Sequence, residues 1–581
     1  MSEKTSVNPV NPISLELFRS ALTAIAEEMG VVLTRSSYSP NIKERRDFSC
    51  ALFDLEGRLV AQAAHIPVHL GSMPDSVASA LDTFDHFSPG DIIALNDPFL
   101  GGTHLPDITL IAPIYVQLDS APIRPANDAS FTSQTFGNDA GASSAPHSSE
   151  RKQSSSFAQA GRKEREQRLI GFAANRAHHS DVGGMSPGSM PIATEIYQEG
   201  IIIPPVKLWE ADRPNQALLD VVLRNVRTPD ERRGDLAAQT AANRTAIRRM
   251  QELIDRWGLS TTEEHIDALI AYAERIARAT IEAIPDGHYE FTDHLDNDGI
   301  VDEPVPITAK ITVQGDTITV DFTGSAQQTR GNVNAVAAVA KSATYYVVRC
   351  LMPEDAPMNH GTFAPVTVIA PEGTVVNALQ PAAVAQGNVE TSQRITDVVF
   401  GALATALPDI VPAASQGTMN NITAGGIDPR TGQPFAYYET MGGGMGARPG
   451  LDGLSGVHTH MSNTLNTPVE AFEYAYPMRV NKYCLRDHSG GKGASRGGDG
   501  LVRELAFEVP TEVTLLTERR STSPYGLQGG EPGMRGENRL QQEGQEKVLP
   551  GKVHFQAMPG DRLTIFSPGG GGWGKPEKDT K

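Results

Sequence analysis

Apolar residues recur at helical spacing through Leu15, Phe18, Leu22, Ile25, Met29 and Val32. One face of a helix capped at about Ser14 is therefore expected to pack against the rest of the chain. The period then shortens. In FSCALFDLEGRLVAQ two β-prone runs flank Leu55-Glu56-Gly57, and DIIALNDPF and DITLIAPIYV read as buried strands bounded by Gly, Pro and Asp. From Ser120 to Gln167 the chain is rich in Ser, Ala, Asn and Gln and ends in GRKEREQR, which reads as a disordered or exposed insertion. Long structureless loops are uncommon inside compact domains. The strands on either side of it, DITLIAPIYV and LIGFAAN, are thus expected to pair as a hairpin with an expanded tip. From Asp235 to Ala283 the helical period returns, interrupted at Trp257-Gly258, with a second helix opened by the capping box Ser260-Thr-Thr-Glu263. ITVQGDTITVDF alternates as a β-hairpin around Gly315-Asp316, and the last third interleaves strands with glycine clusters. The pattern predicts an α+β protein of multi-layer mixed sheets with a helical hairpin. Its expected parts are an N-terminal α+β region (1–234) holding the insertion (120–167), the helical hairpin (235–284) and a glycine-rich, β-dominated C-terminal region (285–581).

At 581 residues the chain exceeds the ~250–300 residues at which single cores stop growing, so more than one core is expected. A net charge of −19 leaves no basic footprint for nucleic acid or an anionic membrane surface. Its three cysteines, Cys50, Cys350 and Cys484, form no C-x-x-C pair, which argues against a disulfide framework or thiolate zinc cluster and for a reducing compartment. No run approaches ~18 apolar residues and the N-terminus has no signal-peptide core, so the expected location is cytoplasmic.

Chemistry concentrates in two segments. NDPFLGGTHLPD carries His104 and Asp107, and ANRAHHSDVGG, beyond the insertion, carries His178, His179 and Asp181. If the flanking strands pair, the two clusters face each other. Two histidines with one or two carboxylates suit Mn, Zn or Fe(II), and a site with an open position lowers the pKa of bound water toward ~7. A single histidine is more often a core or turn residue; the coincidence of two clusters is what favours a metal. Asp47, in KERRDFS, is a further acidic candidate that alone would be a solvated turn. His65 and His69 in AAHIPVHLGS rank as supporting groups around the site.

Other motifs carry less. Asp296-Asn-Asp298-Gly299 lacks the remaining ligands of a calcium loop and reads as a polar turn. No glycine run spells a Walker loop, and G-x-G-x-x-G at Gly569–Gly574 has no helix after it. G-x-S-x-G occurs at Gly184–Gly188 and Gly493–Gly497 without the strand and helix of a nucleophile elbow, so both read as flexible turns. The run Gln386–Arg394, with Asn388, Glu390 and Arg394, opens a helix whose start would either dock an anion or carbonyl or simply be capped. His458-Thr459-His460 would present both imidazoles on one face of a strand.

The segments NDPFLGGTHLPDITL, ANRAHHSDVGG, QGNVETSQRITD, DGLSGVHTHMSNTLNTPVE, GGKGASRGGDGLVRE and SPGGGGWG together resemble the hydantoinase B family, from Pro12 to Gly574. The resemblance implies a hydantoinase B-type fold and one divalent metal (Mn, Zn or Fe), held by His104, Asp107, His178 and, as fourth ligand, Asp47. His179 and Asp181 would be reserve ligands; Asn388, Glu390 and Arg394 are expected to bind substrate on the separate ground of the helix start they occupy. The resemblance also implies a hydantoinase A-type ATPase subunit that binds ATP and Mg, in an (αβ)2 heterotetramer opening 5-oxoproline, a hydantoin or a related small cyclic amide. The family's carboxylase branch, acting on acetone or acetophenone, is the implied alternative, and a silent scaffold for the A-type partner is a third reading.

Overall fold

The computed structural model describes residues 10–63, 66–118 and 166–576. His65 and all but the last two residues of the expected insertion lie outside them. Seven strands form the first sheet: β1 (Phe48–Phe53), β2 (Leu59–Gln62), β3 (Ile92–Leu95), β4 (Asp107–Leu118), β5 (Glu166–His178), β6 (Val206–Glu210) and β7 (Arg213–Pro214). They lie in the order β2-β1-β5-β4-β3-β6-β7. The hairpin expected across the insertion is present, with β4 and β5 antiparallel from Leu118↔Glu166 to Asp107↔His178.

Helix α1 (Pro12–Ser36) starts two residues before Ser14, because Asn11 is the cap: its side chain accepts from the Ile13 N–H at 2.9 Å and Pro12 takes the first helical position. The buried stripe Phe18, Leu22, Ile25 and Met29 packs against Ala238, Ala242, Ala246 and Met250 of α2 (Pro229–Trp257). From the same helix Gln239 and Asn243 donate to the Ile108 and Leu110 carbonyls at 2.9 and 3.0 Å, tying α2 to β4. Gly258, at φ 82°, ends α2, and α3 (Leu259–Glu282) begins at once. The expected capping box at Ser260 is therefore not formed, since Ser260 already lies inside the helix and its hydroxyl bonds Glu264.

A second sheet, β8 (Gly287–Leu295), β9 (Val305–Gln314), β10 (Thr317–Asp321) and β11 (Val366–Ile369), includes the predicted hairpin at Gly315 and a parallel pairing of β11 with β10. Helix α4 (Ser392–Leu403), buried along its whole length, packs against β8 and β9 and is entered through a buried π-helical turn, Gly387–Thr391. The largest core draws on Ile108, Leu110, Ile307, Val389, Ile395 and Leu516, so it runs continuously from the first sheet into the C-terminal third.

The C-terminal third adds a four-stranded sheet, in which β12 (Asn421–Asp428) lies between β13 (Gln433–Glu439) and Thr511–Leu516, and a five-stranded sheet with Met478–Arg486 at one edge. The glycine runs beside these sheets are not free turns. They stack backbone on backbone, with Gly570 N–H donating to Gly498 O, Gly498 N–H to Met445 O, Gly444 N–H to Pro568 O and Gly491 N–H to Gly570 O at 2.8–3.0 Å. A Cβ on Gly446 would sit 1.8 Å from Ala413 O, and one on Gly570 2.1 Å from Met445 O. The second G-x-S-x-G belongs to this lattice, its Ser495 bridged to Trp573. His458 and His460 lie in an irregular segment rather than a strand, His458 bonding Ser462 and Asn466. Asp298 closes its polar turn by accepting from Ile300 and Val301. Among the described residues no helix is long and apolar enough to cross a membrane.

Candidate metal centre

The hairpin register sets Asp107 opposite His178, and His104 arrives from the loop just before β4. Three donor atoms result: His104 Nε2, His178 Nδ1 and Asp107 Oδ1, each 3.2 Å from the other two. All three residues are buried. An ion bound at ~2.0–2.2 Å by tetrahedral or octahedral ligands requires donor separations of roughly 2.8–3.6 Å, so the triangle fits a divalent cation of that class. The donor chemistry, two imidazoles and a carboxylate, agrees.

The surrounding groups orient these donors. His104 Nδ1 faces the Ala385 carbonyl at 3.2 Å, which fixes the proton there and leaves the Nε2 lone pair toward the triangle. Thr103 Oγ1 donates to Asp107 Oδ2 at 2.8 Å, and His69 Nε2 lies 3.2 Å from the same oxygen while its Nδ1 meets Ser49 Oγ at 2.8 Å. Asn388, projected by the π-helical turn, places its Nδ2 3.1 Å from His104 Nε2 and 3.3 Å from Asp107 Oδ2. Tyr438 of β13 stacks on His178 with ring centroids 4.0 Å apart and planes 18° apart.

Burial disfavours the Asp107 carboxylate, but the charges of His104 and His69 outweigh it and hold its pKa well below the ordinary value. Burial also pulls His104 down, yet Asp107 beside it leaves that imidazole above its ordinary value. For His178 burial prevails and the pKa falls. Cavity walls come from Asp47, Val68, Asn388, Met419, Tyr438 and Met461, among others, around a volume of 20 Å³. That is room for about one water.

The remaining candidates separate. Asp47 lines this cavity, and its main-chain carbonyl accepts from His178 N–H at 3.0 Å, but its carboxylate lies 3.8 Å from Arg45 and outside the close triangle. His179, just past the end of β5, turns away from the triangle and meets Gln239 Oε1 at 2.9 Å, and Asp181 pairs with Arg227. Of the Gln386–Arg394 run only Asn388 touches the triangle. Glu390 accepts from the Met419 N–H, and Arg394 pairs with Asp293 and Glu518 in a buried ionic cluster shared with Arg519 and Lys552. Sequence reasoning ranked His69 as a supporting group but passed over Thr103 and Tyr438. Thr103 adjoins His104 in the THLPD segment and was readable there, whereas Tyr438 has no local signal.

The fold and this centre define an α+β protein with a candidate metal site at the end of an antiparallel hairpin, and its sequence says to which family it belongs. The chain belongs to the hydantoinase B/oxoprolinase family, whose model matches residues 11–145 and 157–576. It is 37% identical to 5-oxoprolinase 1 of Arabidopsis thaliana over 99% of its own length and 42% of that protein's, so it spans about two fifths of such relatives. It is 30% identical to the B-type chain of a putative D-/L-hydantoinase from a Pseudomonas species, covering 98% of this chain and 91% of that one. The solved structure of the ATP-dependent caprolactamase from Pseudomonas jessenii superposes with a TM-score of 0.83 at 28% identity, over 98% of this chain and 92% of that one.

Proposed function

We propose that this chain is the metal-bearing B-type subunit of an ATP-dependent cyclic amidase that opens 5-oxoproline, a hydantoin or a related lactam. An A-type ATPase partner binds ATP and Mg, and the assembly is an (αβ)2 heterotetramer. The observation that carries the reading is the buried triangle of His104, Asp107 and His178, whose three 3.2 Å edges suit one divalent ion. Family membership and likeness to 5-oxoprolinases, a hydantoinase B-type chain and a caprolactamase support the reaction class.

A divalent ion bound there would supply Lewis acidity and bring the pKa of water toward ~7. The chain's own residues prepare the rest. Ala385 fixes the His104 tautomer, and Thr103 and His69 hold Asp107 Oδ2 so that Oδ1 stays on the triangle. Asp47, on the cavity wall and 3.8 Å from Arg45, would be the fourth ligand of such an ion. Asn388 offers an amide that can hold the ring carbonyl or ring N–H. A lactam ring exceeds 20 Å³, so its binding requires the cavity to widen. Apolar Val68, Val389 and Met419 would then exclude bulk water from the ring.

Elemental analysis of the purified chain beside His104→Ala and His178→Ala tests this reading. About one divalent ion per wild-type chain, lost in both variants, is expected. Equal metal in all three, or none in any, would overturn it. ATP-dependent ring opening of 5-oxoproline and hydantoins with an A-type partner is the assay that follows.

A further inference from the structure

Metal-ligating histidines are normally held at two points, one nitrogen on the metal and the other donating to a carbonyl or carboxylate. His104 meets that requirement through Ala385. His178 does not. Its Nδ1 faces Asp107 and His104, but its Nε2 is buried with no hydrogen-bond partner among the described residues. Its backbone is fixed, the N–H donating to Asp47 O at 3.0 Å and the carbonyl accepting from Asn41 Nδ2 at 2.6 Å. Rotation of the ring about Cβ–Cγ is broad and roughly two-fold for histidine, and no hydrogen bond at Nε2 restrains it.

What covers the ring is the face of Tyr438, 4.0 Å away and nearly parallel. Tyr438 is itself anchored. Arg45, fully buried, donates through Nη1 to the Tyr438 carbonyl at 3.3 Å and through Nη2 to Thr440 and Thr464, and its guanidinium carbon lies 5.0 Å from the Tyr438 ring centroid. Register with β12, Thr423↔Tyr438, fixes the strand beneath. An imidazole that ligates a cation gains positive character, and an aromatic face attracts positive charge. The stack therefore strengthens when the site is loaded.

We propose that Tyr438 is a positioning residue for the metal centre, its ring face taking the place of the absent Nε2 hydrogen bond in holding His178. This rests on the reading of His104, Asp107 and His178 as metal ligands. It makes the C-terminal sheet, more than 250 residues along the chain from His178, part of the device that sets metal affinity. The aromatic face is the active element, and the hydroxyl is dispensable.

The test compares dissociation constants for Zn²⁺ and Mn²⁺, by chelator competition on the full chain, among wild type, Tyr438→Phe and Tyr438→Leu. Tyr438→Phe is expected within ~3-fold of wild type and Tyr438→Leu weaker by ~10-fold or more, the range for losing a group that orients a ligand. Absorption of the Co²⁺-loaded proteins should show altered ligand-field bands in Tyr438→Leu alone. Should Tyr438→Leu fail to fold, Tyr438→Met replaces it. Wild-type affinity in the leucine variant, or equal weakening in phenylalanine and leucine variants, overturns the proposal while leaving the metal reading intact. A wild-type chain that binds neither ion overturns both.

Discussion

At the end of the β4–β5 hairpin the structure depends on side chains being present: His69, Thr103, His104, Asp107, His178 and Asn388 meet within hydrogen-bonding distance. In the lattice of Gly444, Gly446, Gly498 and Gly570 it depends on side chains being absent, because carbonyl oxygens occupy the places where Cβ atoms would stand. Both regions are tightly specified, but by different physics. The hairpin tolerates backbone choice and constrains chemistry; the lattice tolerates no chemistry beyond hydrogen and constrains the backbone through its own N–H and C=O groups.

The largest expected effect lies in the lattice. Gly446→Ala brings a methyl 1.8 Å from the Ala413 carbonyl oxygen and should cost ~4 kcal/mol or more, or prevent folding. Gly432→Ala, at φ 69° with nothing within 4 Å, should cost only about 1 kcal/mol, the strain of a left-handed backbone. Urea unfolding of both variants checks this. Equal losses would mean that the backbone around Gly446 shifts to admit the methyl, so that crowding does not decide.

A second test addresses the charged interior between the two regions. Burial, with Glu518 nearby, pushes the Glu390 carboxyl up to about 8. The folded chain thus keeps a proton that the unfolded chain releases from about pH 4.5 upward. Its contribution to stability is full below that pH and is lost as pH rises through about 8. Glu390→Gln, which mimics the protonated acid and keeps an acceptor for the Met419 N–H, should lose less stability than wild type between pH 6 and 9. The gap should be on the order of a few kcal/mol. Urea midpoints at the two pH values decide; parallel loss would show that Glu390 is ionised throughout.

The contrast also explains what the sequence revealed. Strand pairing across the insertion was readable because apolar runs on both sides of a polar stretch have one economical arrangement, and that arrangement brings Asp107 to His178. Asn388, Ala385 and Tyr438 reach the same centre from more than 200 residues downstream of His178, where no periodicity announces a destination. Arg394 and Glu390 carried the same local signal as Asn388, yet Arg394 turns into the ionic cluster and Glu390 to the Met419 N–H instead. Glycine runs read as turns because composition alone does not distinguish a flexible segment from one packed too closely for any Cβ. Caps failed for a smaller reason: Asn11 and Gly258 stand just ahead of the residues whose types suggested Ser14 and Ser260.

At the end of β5 the different partners of His178 and His179 predict a sharp difference between these adjacent histidines. His179→Ala removes a ring that faces Gln239, away from the triangle, and leaves one buried acceptor without its donor. It should lower stability by ~1–2 kcal/mol while leaving metal content at the wild-type level. His178→Ala should empty the site. Thermal unfolding and elemental analysis of the pair measure the two effects separately, and loss of metal in both would move His179 into the ligand set.

The smallest effect belongs to the far end of the same hairpin. Arg168 on β5 bonds Glu263 of α3 at 2.9 Å, with side chains 50% and 43% exposed. Water screens such a pair and ordering two long side chains costs entropy, so Arg168→Ala should change stability by no more than ~0.5 kcal/mol. Metal content should not change, since this end of the strand lies ten residues from His178, on the order of 30 Å along an extended chain. Urea unfolding in low and in 0.5 M salt, with elemental analysis alongside, is the measurement. A loss of metal here would mean that pairing along the whole hairpin, and not its open end alone, holds Asp107 against His178.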